Sequence, residues 1–188
     1  MSFCLRCCKL ASTFLHHAIK QPRNTLVSAL YKTQVISFNQ LKLNDLYAIL
    51  KLRQDVFIIE QQSIYRDIDE QDKTSEHICV FHQARLIAYA RVRKTKQINA
   101  KIERVVCLPE YRGQGIGKGL IEQAIEEIQR DHEITTIMLS AQTDAIDFYL
   151  KFGFHPEGKP YDDGGIEHID MLLAVAQLRG GSKDSHGG

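Results

Sequence analysis

From Val35 onward the apolar positions follow two spacings in turn, and each change of spacing marks an element. Val35-Ile36-Ser37-Phe38 reads as a short strand, with a turn at Asn39-Gln40. Leu46, Ile49, Leu50, Arg53, Val56 and Phe57 then recur every three or four residues, one face of a helix running from an N-cap at Asn44 to about Ile59. Strand patterning resumes at residues 77–81 and again at 86–92, and the short connection between them argues for an antiparallel hairpin. A third run, 101–108, is stopped by Pro109. Leu120, Ile121, Ala124, Ile125 and Ile128 form a helical apolar stripe opposite Glu122, Gln123, Glu126 and Glu127, which is a core-packing face. A buried strand over 134–141, a short helix over 144–152 ended by Gly153, and a last strand over 166–175 complete the pattern. Residues 35–176 are thus expected to form one domain of the α/β (α+β) class.

Outside that domain the pattern lapses. Residues 1–42 carry Arg6, Lys9, Lys20, Arg23, Lys32 and Lys42 and no acidic residue, the composition of an organellar transit peptide. A disordered extension over 1–34 is the reading with more weight, and cytoplasmic residence goes with it, mitochondrial targeting being the minority alternative. The longest uncharged stretch there, residues 10–19, is too short to span a bilayer. Residues 177–188, rich in Gly and Ser, read as a flexible tail.

Charge narrows the function classes. The 24 basic and 23 acidic residues give a net charge of +1, so no global field favours nucleic acid or an anionic membrane. Five cysteines, three of them at Cys4, Cys7 and Cys8, lack the spacing of a disulfide framework or of a second half of a zinc site, so no metal is expected. Residues 61–75 contain Arg66, Asp67, Asp69, Glu70 and Asp72. A solvated connection is the first reading of this acidic run, and attraction of a cationic substrate the second.

The chemistry-bearing stretch is Arg112-Gly113-Gln114-Gly115-Ile116-Gly117, placed between a strand and a helix. Its glycines permit positive φ and close ligand approach, and a helix opening there presents unpaired amide donors to an anion. It is not a Walker loop, because Arg112 stands where the first glycine is needed and Gly119 follows Lys118 in place of Ser or Thr. It is not a dinucleotide fingerprint either, since Lys118 and Leu120 occupy the third-glycine positions.

What remains, Arg-x-x-Gly-x-Gly after a strand and before an amphipathic helix, resembles the pyrophosphate loop of the GCN5-related N-acetyltransferase (GNAT) superfamily. Residues 145–154, Ala-Ile-Asp-Phe-Tyr-Leu-Lys-Phe-Gly-Phe, are similar to that family's A-x-x-F-Y-x-x-x-G-F segment. Val56-Phe57-Ile58-Ile59-Glu60-Gln61, Tyr65-x-Asp67-Ile68-Asp69, Glu76-His77-Ile78 and residues 161–169 resemble its ElaA-like branch. The resemblance implies a mixed, largely antiparallel sheet of six to seven strands flanked by helices. It also implies transfer of an acetyl group from acetyl-CoA to an amine in a ternary complex. A non-catalytic CoA-binding sensor is the alternative.

By the same resemblance the loop residues Gly113, Gln114, Gly115, Ile116, Gly117 and Lys118 hold the diphosphate, while Arg112 either contacts it or orients the loop. A bulged strand edge near Val105, Val106 and Cys107 pairs with the pantetheine arm, and Cys107 serves there as a small strand residue, not a nucleophile. Gln142 replaces an Asn common at its position and retains a donor. Tyr149 matches the general acid for the departing thiolate, with an aromatic plug as its alternative role. An alkylamine of pKa about 10.4 is neutral in roughly one molecule in 2,500 at pH 7, equivalent to about 4.6 kcal/mol of barrier. A base is therefore expected among Glu60, Glu103, His77 and His168. Tyr65, Asp67, Asp69, His77 and Asp163 are the candidate acceptor contacts. The acceptor itself, a small molecule or a peptide, and the oligomeric state, a dimer included, stay open.

Overall fold

The computed structural model describes residues 30–96 and 98–176; the expected extension up to residue 29 and the tail from 177 lie outside the described residues. Seven strands form one sheet in the order β1-β2-β3-β4-β5-β7-β6. They are β1 (Tyr31–Ser37), β2 (Glu76–His82), β3 (Arg85–Lys96), β4 (Asn99–Cys107), β5 (Thr136–Gln142), β6 (His155–Asp162) and β7 (Glu167–Ala174). Every neighbouring pair is antiparallel except β4 and β5, which are parallel. Among the described residues three α-helices accompany the sheet: α1 (Leu43–Arg53), α2 (Ile116–Gln129) and the short α3 (Ile146–Leu150).

The two longer helices cover opposite faces. Tyr89 and Arg91 of β3 point towards α1, where the Arg53 guanidinium lies 6.0 Å from the Tyr89 ring centroid. The alternate residue Val92 lines a groove with Ile128 of α2, as the two-residue period of a strand requires. Leu120, Ile121, Ala124, Ile125 and Ile128, the stripe read from the sequence, are all buried. No helix among the described residues is long and apolar enough to cross a membrane.

The elements differ from the sequence pattern in four places. β1 begins at Tyr31, inside the stretch expected to be disordered, because Tyr31–Ser37 pairs residue by residue with β2. The first helix starts one residue after Lys42, which makes no side-chain cap, instead of at Asn44, and after Arg53 it widens into a π-helix over Gln54–Glu60. The expected 144–152 helix is reduced to five α-helical residues behind a single 3-10 turn, Thr143–Ala145. β6 has no counterpart in the pattern: it carries Pro156, Gly158 and Pro160 and is exposed along its length, which an edge strand tolerates. The β2–β3 hairpin forms as expected, turning on Gln83 and Ala84, both with positive φ.

Candidate active site

The sheet opens between its two parallel strands. β4 and β5 pair through Asn99, Ala100 and Lys101 against Thr136, Ile137 and Met138, and among the described residues no register pair joins them beyond that. On its other side β4 bulges: Tyr89 pairs with Val106 and Arg91 with Glu103, leaving Arg104 at φ +53° between them. A left-handed arginine in mid-strand breaks the ladder and turns the main chain of Val105, Val106 and Cys107 into an edge facing the gap. The expected bulge is therefore present, and residues 105–107 have no register partner on β5 among the described residues. Cys107 is buried and its thiol donates to the Leu108 carbonyl, 3.6 Å away.

The glycine run stands where β4 leaves the sheet. A 3-10 turn, Pro109–Tyr111, leads into it, and Gly115 at φ +85° caps α2. The Gly119 amide bonds the Gly115 carbonyl at 3.1 Å, so the helix's first intrahelical bond begins there. The amides of Ile116, Gly117 and Lys118 are the first-turn donors that an α-helix leaves unpaired, at the positive end of its dipole. A Cβ built on Gly113 or Gly115 meets no atom within 4 Å, so the space over the loop is open.

The side chains of the run face elsewhere. Arg112 donates through Nε to the Cys107 carbonyl at 3.0 Å and through both Nη atoms to Glu60, each at 2.7 Å. Its guanidinium thus ties the loop to the end of β4 and to the end of the π-helix, the orienting role of the two weighed. Gln114 donates to the Glu110 carbonyl at 2.8 Å and accepts from the Tyr31 hydroxyl at 3.2 Å. Lys118 pairs with Glu122 on the surface of α2.

The acidic run 61–75 is neither a solvated connection nor an open cation trap. Asp67, Asp69 and Asp72 turn inward against arginines on three elements, while Glu70 stays exposed and pairs with Lys73. Arg53, on the apolar face of α1 and fully buried, donates to Asp67 and Asp72 at 2.9 and 2.8 Å. Arg91 grips Asp69 with two bonds of 2.7 and 2.8 Å and reaches Asp72 at 3.0 Å. Arg104, the bulge residue, donates to Asp69 at 2.8 Å, and its guanidinium lies 5.5 Å from the Tyr65 ring centroid. Glu103 accepts from Arg91 and Arg93 at 2.9 and 2.8 Å.

Burial opposes these charges, but the paired guanidinium groups more than offset it. Asp69 and Asp72 are held below the usual carboxylate range, and Glu103 is held at about 2. Glu103 is therefore a weak proton acceptor at neutral pH, and Glu60 is engaged by Arg112. The network fastens the loop, α1 and the bulge into one body. Its partners Arg53, Arg91, Arg104 and Asp72 were not singled out as site residues; the signal was an arginine on each of three apolar faces, facing an acidic run.

The histidines differ from one another. His77 is fully buried, with Nε2 3.0 Å from the Asp72 carbonyl and Nδ1 2.8 Å from the Tyr89 hydroxyl. A carbonyl only accepts, so Nε2 carries the proton and Nδ1 receives the tyrosine hydrogen. Both nitrogens are satisfied, and burial lowers the pKa. His168 opens β7 opposite Gln142, at the edge of the sheet where β4 and β5 end. Its Nδ1 lies 2.7 Å from the Ile166 carbonyl and therefore bears the proton. Tyr149 is buried on α3, its ring edge-on to Phe148 and Phe154, and desolvation raises its pKa well above 10. Among the described residues no group of three or more His, Cys, Asp and Glu could hold a metal ion.

Residues 44–175 match the family model described as acetyltransferase (GNAT) domain. Protein ElaA of Escherichia coli (strain K12) is 34% identical over 148 residues, spanning 77% of this chain and 97% of its own. The crystal structure of E. coli ElaA superposes with a TM-score of 0.72 at 33% identity, over 76% of this chain and 98% of that one. An acyl-CoA N-acyltransferase from Pseudomonas aeruginosa gives the same TM-score at 32% identity, over 77% and 99%. With its splayed parallel strands, bulged edge and glycine-capped helix, the chain belongs to the GNAT acetyltransferase family, in the branch that contains ElaA.

Proposed function

We propose that the protein transfers an acetyl group from acetyl-CoA to a primary amine, carried by a small molecule or a peptide, by direct attack in a ternary complex. The observation that carries this reading is the juxtaposition of the β4–β5 gap, the Arg104 bulge and the open N-terminus of α2. Together they match a long, thin ligand with amides along its arm and a diphosphate at its end. Bound there, acetyl-CoA supplies a thioester carbonyl open to attack by nitrogen.

The chain's own groups divide the remaining work. The first-turn amides of α2, with Gly113 and Gly115 keeping side chains out of the way, receive the diphosphate oxygens. The main chain of Val105, Val106 and Cys107 pairs with the pantetheine amides, and Gln142, at the end of β5, faces the same gap with a donor to offer. Arg112 holds the loop against β4 through Cys107 and Glu60. Tyr149, kept protonated by burial, donates to the departing sulfur. Isothermal titration with CoA, followed by acetyl-CoA turnover on a panel of amines, tests the reading; absence of CoA binding overturns it.

A further inference from the structure

A cavity of about 10 Å³, roughly the volume one water needs, lies at the head of the β4–β5 gap. Phe57, Tyr65 and Ile166 supply much of its apolar wall, and Gln142, Asp163 and His168 supply polar edges. Tyr65 spans the gap, since its ring also meets Arg104 of β4. The tip of the β6–β7 turn packs beside the cavity: the Ser63 hydroxyl donates to the Gly164 carbonyl at 3.0 Å, and a Cβ on Gly164 would stand 2.5 Å from that hydroxyl oxygen.

Among the side chains lining this cavity one buried atom lacks a partner. His168 is 2% exposed, its Nδ1–H is spent on the Ile166 carbonyl, and its buried Nε2 has no hydrogen-bond partner among the described residues. An imidazole in that tautomer aims a bare lone pair from Nε2. A buried acceptor without a partner is destabilising, a cost that a water bridging to a bound ligand removes.

We propose that Nε2 of His168, through one water held in this cavity, takes the proton of the attacking amine. The inference rests on the acetyl-transfer reading. The nitrogen forms the C–N bond with its lone pair and gives a proton to the water, which passes one of its own to Nε2. The C–S bond breaks, the sulfur keeps the bonding pair and takes the Tyr149 proton, and the proton released by His168 through solvent restores Tyr149. The sum is amine plus thioester giving amide plus thiol.

This base also narrows the acceptor. An ordinary imidazole, at about 6.5, lies roughly 4 units below an alkylammonium and about 1.5 below an α-ammonium; burial of His168 widens both gaps and leaves the α-amine the nearer match. Of the carboxylates that could have gathered a polycation, Asp67, Asp69, Asp72, Glu103 and Glu60 are matched by arginines, and Asp163 at the cavity is a single charge, too sparse to select one. The acceptor is accordingly an amine of α-amino acidity. The groups facing His168 are the carboxylates of Asp162 and Asp163, which favour its charged form, the Tyr161 ring stacked at 6.3 Å, and Tyr65 across the cavity; burial prevails and lowers the pKa below 6.5.

The test uses full-length protein labelled with ¹⁵N-histidine and saturated with CoA. The His168 imidazole is expected as the Nδ1–H tautomer with unprotonated Nε2, titrating below pH 6.5. With acetyl-CoA and glycinamide as probe acceptor, the acid limb of kcat/KM should follow that same titration. His168→Gln should lower kcat about 100-fold and abolish the acid limb, with CoA affinity within twofold. Glycinamide should exceed propylamine by at least ~30-fold in kcat/KM. An Nε2–H tautomer, an acid limb apart from the titration, an active His168→Gln or the reverse amine preference overturns the proposal. If the glutamine variant does not fold, the match of titration and acid limb in the wild type decides. A wild type that binds CoA and acetylates neither amine, nor any other, overturns the acetyl-transfer reading and the proposal with it, whatever the tautomer.

Discussion

Gly115→Ala separates a ligand cradle from a merely structural turn. In the protein alone the added Cβ meets no atom within 4 Å, so the substitution introduces no clash. Its cost is the left-handed backbone at φ +85°, about 1–2 kcal/mol for an L-residue. For a domain of this size each kcal/mol lowers Tm by roughly 2–4 °C, so the expected drop is about 2–8 °C. Binding should suffer more. The methyl fills the open space at the N-terminus of α2, and losing even one charge-assisted bond to a diphosphate oxygen removes about 1.5–3 kcal/mol, an affinity loss of roughly 10- to 150-fold. Gly119→Ala is the control: Gly119 lies inside α2, its Cβ also meets nothing, and the change should stabilise by about 0.5–1 kcal/mol while leaving CoA affinity within twofold. Calorimetric titration with CoA and thermal melts of both variants provide the comparison. A folded Gly115→Ala protein that binds CoA as tightly as the wild type would refute the cradle.

Two further outcomes follow from the buried groups. Tyr149→Phe removes the hydroxyl but not the ring packing against Phe148 and Phe154; turnover should fall at least ~10-fold with CoA affinity little changed, and wild-type turnover would leave Tyr149 as packing. Glu103 has a folded pKa of about 2 against an ordinary 4.5, which at ~1.36 kcal/mol per pH unit makes its ionised form worth on the order of 3 kcal/mol. Because the folded value is depressed, that stability is complete above the unfolded value and is lost as pH falls through the folded one. Tm should hold from pH 7 to about 5 and decline between roughly 4.5 and 2. Glu103→Gln, which leaves the buried Arg91 and the half-buried Arg93 underpaired, should cost about 3–5 kcal/mol at pH 7 and flatten the acid decline; melts across pH check both.

The parts of the fold that were legible in the sequence are those where burial writes a period. The α2 stripe from Leu120 to Ile128 and the short continuous apolar runs of β2 and β3 needed no tertiary information. The glycine run was legible for a different reason, since three glycines in five positions signal a backbone requirement directly. β6 was not legible, because an exposed edge strand has no apolar face to leave a pattern, and its prolines mimic a loop. The widening of α1 into a π-helix leaves the apolar spacing nearly unchanged and so escaped notice. At the site, the roles of Asp67, Asp69 and Glu103 depended on arginines 10 to 37 residues away. Sequence composition shows the acidic run but not where its charges are answered. His77 and His168 looked alike as isolated histidines; what separates them is that both nitrogens of His77 are bonded while Nε2 of His168 has no hydrogen-bond partner among the described residues.

The most direct measurement is a screen of wild-type protein with acetyl-CoA against α-amino compounds, peptide N-termini, alkylamines and polyamines, reading thiol release and acceptor mass together. Acetyl transfer predicts one equivalent of thiol for each acetyl group gained by an amine, with both signals lost together in Tyr149→Phe. Tight CoA binding with no acetylated amine in any class would contradict it, and would make the protein a CoA-sensing module built on the same cradle.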